Sequence, residues 1–136
     1  MKQIPKVDKY MVPMPHTIGH DITIEKALGM MRDHKIRHLP VQDAGKLVGV
    51  LSDRDIKLAA SFANSGELHV EDVMTPDPYT VKPQASMDTV VMEMAEHKYG
   101  CAIIVQDNGK VVGIFTATDG LRVLGDLLHQ NYKQGS

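Results

Sequence analysis

Gly113-Ile114-Phe115-Thr116-Ala117-Thr118-Asp119 repeats, residue type for residue type, an earlier stretch, Gly49-Val50-Leu51-Ser52-Asp53-Arg54-Asp55. Each runs glycine, two large apolar residues, a hydroxyl, two variable positions and a carboxylate. In both, an apolar strand pattern ends at the hydroxyl and a helical pattern begins behind it. That grammar places a hydroxyl, unpartnered backbone N–H groups and a carboxylate at a helix N-terminus, where a phosphorylated ligand can be held.

Working outward, the similarity covers most of the chain. A shift of 63 pairs Met11, Pro13, Pro15 and Thr17 with Met74, Pro76, Pro78 and Thr80, and Met31, His34 and Lys35 with Met94, His97 and Lys98. One inserted residue then makes the shift 64, and Val41 to Asp55 matches Val105 to Asp119 at 8 of 15 positions. The chain is a duplication. In each copy an opening turn (Val7 to Met11, Val70 to Met74) is stopped by Met-x-Pro-x-Pro. Short extended pieces follow, His16-Thr17-Ile18 and Tyr79-Thr80-Val81. Apolar residues at Ile24, Ala27, Leu28 and Met31, and at Met87, Val90, Val91 and Met94, mark amphipathic helices with Thr23 and Ser86 as N-caps. Strands are predicted over 38–42 and 47–51 and over 101–106 and 111–115, each pair joined by an Asp-x-Gly turn. Closing helices are predicted over 53–60 and 118–128.

The fold expected is α+β: two pseudo-symmetric β-α-β-β-α repeats, 7–62 and 69–128, with a polar connector at 63–68 and a loose tail at 129–136. A unit of about 60 residues buries little surface alone, so the copies are expected to pack face to face as one module.

Composition narrows the function. With 43% hydrophobic residues, 24% charged and a net charge of −2 over 136 residues, the chain has no basic footprint for nucleic acid or an anionic membrane. Residues 1–68 carry 10 Lys/Arg against 8 Asp/Glu and residues 69–136 carry 5 against 9, so the cations concentrate in the first copy. The single cysteine, Cys101, excludes an internal disulfide and fits a reducing compartment. No run approaches the roughly 18 apolar residues of a membrane span. A cytoplasmic protein is expected.

A ribose offers two vicinal hydroxyl donors that one carboxylate can accept, and Asp55 and Asp119 sit where this can happen. A phosphate would take the helix N–H groups and the Ser52 or Thr116 hydroxyl. The same spacing is also a capping box that serves only its own helix, and both roles can coexist. Thr17-Ile18 and Thr80-Val81 offer an apolar face beside backbone for a purine, or are ordinary short strands. Arg37, His38 and Arg54 are the phosphate cations, or solvated charges. The seven histidines show no metal-ligand spacing, and no base and orienting acid accompany Cys101, so neither a metal nor a catalytic residue is expected.

The Met-x-Pro-x-Pro-x-Thr openings, Ile36-Arg37-His38-Leu39-Pro40-Val41, the Asp-x-Gly-Lys turns and both Gly-x-x-Ser/Thr-x-x-Asp stretches resemble the cystathionine β-synthase (CBS) domain over about residues 7–128. The tandem arrangement is similar to the pair called a Bateman module, as in stand-alone bacterial CBS-pair proteins of the acetoin-utilisation type. The resemblance implies adenosyl ligands (AMP, ADP or ATP, with NAD and S-adenosylmethionine as further members) bound in a cleft between the repeats, and disc-like homodimers. It carries nucleotide contacts onto Thr17, Ile18, Arg37, His38, Pro40, Ser52, Arg54 and Asp55 and onto Thr80, Val81, Ala102, Ile103, Thr116, Thr118 and Asp119. Against Arg37-His38-Leu39-Pro40 the second copy has Cys101-Ala102-Ile103-Ile104, so the two sites are expected to be unequal. The function implied is a non-catalytic regulatory module signalling by conformational change to an unidentified protein; the alternative is a ligand-free dimerisation or docking module, and an enzyme using the cleft is the third reading.

Overall fold

Each Gly-x-x-Ser/Thr-x-x-Asp stretch sits where an inner strand of a four-stranded sheet becomes a helix. The computed structural model describes residues 2–62 and 67–133. The fold is α+β, with two sheets. A 3₁₀ turn (Val7–Lys9) and β1 (Val12–Pro13) lead to β2 (Ile18–Gly19), α1 (Ile24–His34), β3 (His38–Asp43), β4 (Lys46–Ser52) and α2 (Asp53–Ala60). Then come α3 (Val70–Val73), β5 (Thr75–Pro76), β6 (Thr80–Val81), α4 (Met87–His97), β7 (Cys101–Val105), β8 (Val111–Thr116) and α5 (Ala117–Asn131). The sheets run β2-β3-β4-β5 and β1-β8-β7-β6.

The chain divides into two compact units, and neither is simply a sequence repeat. One comprises Pro15–Pro78 and Asp107–Val111; the other comprises Met1–Met14, Tyr79–Gln106 and Val112–Ser136. They are called here the Ser52 unit and the Thr116 unit. The opening segment of the first copy therefore completes the second sheet: β1 pairs antiparallel with β8, Val12 opposite Ile114 and Pro13 opposite Gly113. The opening of the second copy does the same in the Ser52 unit, β5 pairing with β4 through Gly49↔Pro76 and Val50↔Thr75. These two strands are absent from the sequence expectation because Met-x-Pro-x-Pro reads as a breaker. Both lie at sheet edges, where a proline costs no ladder bond.

The motif glycines are explained by these added strands. A Cβ on Gly49 would stand 2.5 Å from Met74 Sδ and 2.8 Å from the Thr75 carbonyl oxygen. At Gly113 it would run into the side chain of Met11. The two methionines of the openings thus lie directly over the two glycines.

In the Ser52 unit the core gathers Ile18, Ile24, Ala27, Met31, Leu39, Val41, Leu51, Ile56 and Val70. In the Thr116 unit it gathers Val7, Met87, Val90, Met94, Ala102, Ile104 and Phe115. α1 begins at Thr23, whose hydroxyl accepts the Lys26 N–H at 3.3 Å, and ends at Lys35 in the left-handed region (φ 55°). α4 begins at Ser86, but that hydroxyl donates to Asp88 instead of capping the backbone. The faces buried are narrower than the sequence stripes, since Leu28 and Val91 are exposed in both helices. The β3–β4 hairpin turns through Ala44 (φ 51°) and Gly45 (φ 81°), the two positive values a type I′ turn requires.

One helix end differs from expectation. α5 continues through Asn131, three residues into the stretch expected as a loose tail, because Asn131 Nδ2 donates to the Leu127 carbonyl at 2.8 Å and the Tyr132 N–H to that of Leu128 at 3.1 Å. Ala63-Asn64-Ser65-Gly66, the middle of the expected connector, lies outside the described residues.

Candidate functional site

The hydroxyl and carboxylate of each motif lock together at the start of a helix. At α2 the Asp55 N–H donates to Ser52 Oγ at 3.0 Å and the Ser52 N–H to Asp55 Oδ2 at 3.1 Å, a complete capping box. At α5 the Asp119 N–H donates to Thr116 Oγ1 at 3.2 Å and the Thr116 N–H to Asp119 Oδ2 at 2.9 Å. The capping role weighed in the sequence is therefore real in both copies. It leaves different atoms for a ligand. Thr75 Oγ1 approaches Asp55 Oδ2 at 3.5 Å, and Oδ1 accepts no hydrogen bond among the described residues. Asp119, only 13% exposed at its side chain, has Oδ2 taken by the Thr116 hydroxyl as well and Oδ1 taken by Arg122 Nη1 at 3.3 Å.

The helix N–H groups are also partly spent. The first N–H of α2, on Asp53, donates to the Arg37 carbonyl at 3.0 Å, and that of α5, on Ala117, to the Gly100 carbonyl at 3.0 Å. The third serves the capping hydroxyl. The second, on Arg54 and Thr118, is the one that neither bond takes up.

Those two carbonyl bonds correct the alignment. Arg37 is the structural counterpart of Gly100, not of Cys101, and His38 that of Cys101. The parallel pairs agree: Ile18 faces Val41, and Val81 faces Ile104, keeping the shift at 63 through the strand. The extra residue comes later, near the irregularity that β3 shows between Val41 and Gln42. The sequence match at Val-Gln-Asp had drawn the insertion too early. The asymmetry survives the correction, since a glycine carries no more charge than a cysteine.

Around the Ser52 motif, His38 stands opposite Ser52 on the neighbouring strand, and Arg37 and Arg54 are exposed. Pro40 is buried. Thr17 is half-buried at the head of β2, whereas Ile18 is 5% exposed and belongs to the core. In the Thr116 unit Thr80 and Thr118 are exposed, Val81 is half-buried, and Ala102 and Ile103 are fully buried. β2 and β6 are edge strands, so one row of backbone donors and acceptors lies outside the ladder, suited to the polar edge of a purine.

Sequence reasoning missed the rings beside these strands. His16, next to Thr17, stacks on His34 with centroids 3.7 Å apart. Tyr79, next to Thr80, stacks on Tyr99 at 5.0 Å, and Tyr99 on His97 at 5.1 Å. Burial, with the charge of Glu93 and then Tyr99, pushes the Tyr79 phenol above its ordinary range. The signal was present: His16 and His34 align with Tyr79 and His97 at the shift of 63. Among the described residues no group of three or more His, Cys, Asp or Glu side chains is placed to hold a metal, and no helix is long and apolar enough to cross a membrane.

The same architecture recurs among known proteins. A Vibrio cholerae protein named for acetoin utilization superposes with a TM-score of 0.83 at 32% identity, over 97% of this chain and 100% of that one. The CBS domain pair of protein MJ0100, solved in complex with 5′-methylthioadenosine and S-adenosyl-L-methionine, gives a TM-score of 0.82 at 31% identity, over 92% of this chain and 99% of that one. In sequence, the inosine-5′-monophosphate dehydrogenase of Korarchaeum cryptofilum is 33% identical over 118 residues, 87% of this chain but 24% of the dehydrogenase. The chain thus spans about a quarter of that relative. The CBS domain profile matches residues 7–61 and again residues 70–126, and with both copies matched the chain belongs to the CBS domain family, as a tandem pair.

Proposed function

We propose that the chain is a non-catalytic regulatory module that binds adenosine-containing ligands at its two motifs and passes their presence to a partner protein by a shift between conformational states. One observation carries this reading. A capped hydroxyl-carboxylate pair at a helix start occurs twice, beside a short edge strand each time, in a family whose MJ0100 member is 31% identical and was solved with two adenosyl compounds. Asp55 and Asp119 would accept the ribose hydroxyls. The backbone of β2 and β6 would meet the base. Ser52, Thr116 and the N–H groups of Arg54 and Thr118 would hold a phosphate or its substitute, with Arg37, His38 and Arg54 adding positive charge in the Ser52 unit. AMP, ADP and ATP are the first ligands expected; NAD and S-adenosylmethionine share the same adenosine. Such a ligand moves the population of states only by its differential affinity for them.

Assembly into a homodimer belongs to the same reading. α5 exposes Leu121 (70%), Leu124 (52%) and Leu128 (50%), and Leu58 and Phe62 at the end of α2 are exposed as well. Apolar surface of this kind is what a second copy would cover. Cys101 is buried and, as the single cysteine, can form no internal disulfide, which suits a reducing cytoplasm.

The deciding experiment is a thermal-shift panel with AMP, ADP, ATP, NAD and S-adenosylmethionine. A ligand at 100 times its Kd adds about 2.7 kcal/mol, worth on the order of ten degrees here. No shift with any of them would favour a ligand-free docking module, and turnover of one would make the protein an enzyme. Light scattering at about 100 μM tests assembly, since a Kd near 1 μM would leave the protein dimeric there and a monomer would refute it.

A further inference from the structure

His20 lies one residue past β2, and its backbone ties three elements. Its N–H donates to the Gln42 carbonyl at 3.0 Å, at the end of β3, and its carbonyl accepts the Glu71 N–H at 2.9 Å, at the start of α3. The ring repeats the connection: Nδ1 lies 2.5 Å from Glu71 Oε2 and Nε2 lies 3.3 Å from Asp43 Oδ1. Only an imidazolium carries two N–H donors for two carboxylates. A neutral ring turns a lone pair toward one of them.

The Thr116 unit keeps only the carbonyl half of this joint, since the residue there is a proline with neither the ring nor a backbone N–H. There the Asp8 N–H donates to the Pro83 carbonyl at 3.2 Å, and Pro83 occupies the place of His20. The duplication thus gave one unit a protonatable clamp and left the other without one.

We propose that His20 is a positioning residue that makes ligand binding at the Ser52 motif dependent on protons. The imidazolium fastens the end of β2, which carries Ile18 and follows Thr17, to the end of β3 and the start of α3; the neutral ring releases that hold. This rests on the adenosyl-binding function proposed above. The charged groups around the ring are Asp43 on β3, Glu71 on α3 and Asp21 on its own segment, with Lys46 in register opposite Asp43 and the His69–Asp72 pair at the start of α3. The hydrogen bond to Glu71 is the largest influence and raises the His20 pKa from its ordinary value against the next largest, an opposing desolvation, while the charges of Asp43, Glu71 and Asp21 each raise it by less. A raised folded-state value means that the clamp is complete below the unfolded value and is lost as pH rises through the folded one. Binding at the Ser52 motif therefore tightens toward acid.

The probe is 5′-methylthioadenosine, which has no phosphate to titrate. Calorimetry is run from pH 6 to 8.5 on Asp119→Ala, which retains the Ser52 motif, and on Asp55→Ala, which retains the other. The first should weaken by about two- to fivefold across that range, as expected for one partly exposed charge clamp. The second should stay flat. Adding His20→Gln to the first should abolish the pH slope and hold affinity at its alkaline level. A readout without ligand comes from NMR titration of His20 in the parent and from melting points against pH, whose slope His20→Gln should flatten. Binding with the same pH dependence at both motifs, or a slope that survives His20→Gln, overturns the proposal alone. Failure to bind the probe at any pH overturns the proposal, and AMP titrated into the same variants then shows whether the function beneath it stands, while the melting curves still report whether the clamp exists.

Discussion

The Ser52 and Thr116 units share their backbone joints and differ in the side chains set on them. Val70 donates to the Ile22 carbonyl and Val7 to that of Ala85, both at 2.8 Å; Asp53 donates to Arg37 and Ala117 to Gly100, both at 3.0 Å. At matching positions His20 is replaced by Pro83, Arg37 by Gly100, and a histidine pair by a Tyr-Tyr-His stack. A buried backbone bond cannot be dropped without a cost of about 1 to 3 kcal/mol, so duplicated copies keep it. Exposed side chains carry no such penalty and are free to diverge. The difference between the units is therefore concentrated in side chains.

The largest effect is expected at the motif glycines. At Gly49 an added methyl meets the Thr75 carbonyl oxygen at 2.8 Å, a backbone atom held by the β4–β5 ladder. At Gly113 the three nearest atoms all belong to the Met11 side chain, which can turn aside. Gly49→Ala should cost about 2 to 3 kcal/mol of stability and Gly113→Ala about 1 kcal/mol, read from urea denaturation. Equal losses would show that Met11 is held as firmly as the strand.

Next come the carboxylates. Removing a charged acceptor of two ribose hydroxyls costs roughly 1.5 to 3 kcal/mol, or about 10- to 150-fold in affinity. Asp55→Ala should lie toward the upper end, because Asp55 Oδ1 is open, and Asp119→Ala toward the lower, because Arg122 already occupies Asp119 Oδ1. Calorimetry with AMP would measure both; parent-like binding by both variants would leave the carboxylates as helix caps only. Arg37→Ala is expected to act at one site, by about two- to fivefold as befits an exposed charge, more with ATP than with AMP and more at low salt. Equal loss at two sites would remove the functional meaning of the Arg37/Gly100 difference.

Much of this was legible in the sequence because duplication turns weak local signals into a repeated one. A single Ser-x-x-Asp before a helix reads as a cap; two of them behind Gly-apolar-apolar fixed the β-α-β-β-α order and the sheet-to-helix junctions. The exchanged edge strands were not legible, since nothing local in Val12-Pro13 or Thr75-Pro76 says which sheet a proline-bounded pair will join. The one-residue slip at Arg37 has a similar origin: identical Val-Gln-Asp letters outweighed a register that only hydrogen bonds define. His20 escaped notice because its partners, Asp43 and Glu71, are far along the chain and its counterpart is a proline.

The smallest effect sharpens the comparison at the points where the chain leaves one unit for the other. Met14 (φ 47°) and Asp77 (φ 50°) each precede a proline in the left-handed region, at matching places in the two copies. That region costs an ordinary side chain roughly 1 kcal/mol or more, and aspartate less because its short polar side chain tolerates it. Met14 is also 88% exposed, so its side chain contributes little packing that glycine would lose. Glycine removes the strain but widens the freedom of the unfolded chain, which offsets part of the gain. Met14→Gly should therefore raise stability by about 0.5 kcal/mol, while Asp77→Gly should be near neutral, within about 0.3 kcal/mol. Thermal melting of both variants beside the parent measures the difference. A loss at Met14 would mean that its side chain meets a surface the isolated chain does not contain, and the exposed methionine would then mark a contact with a second copy.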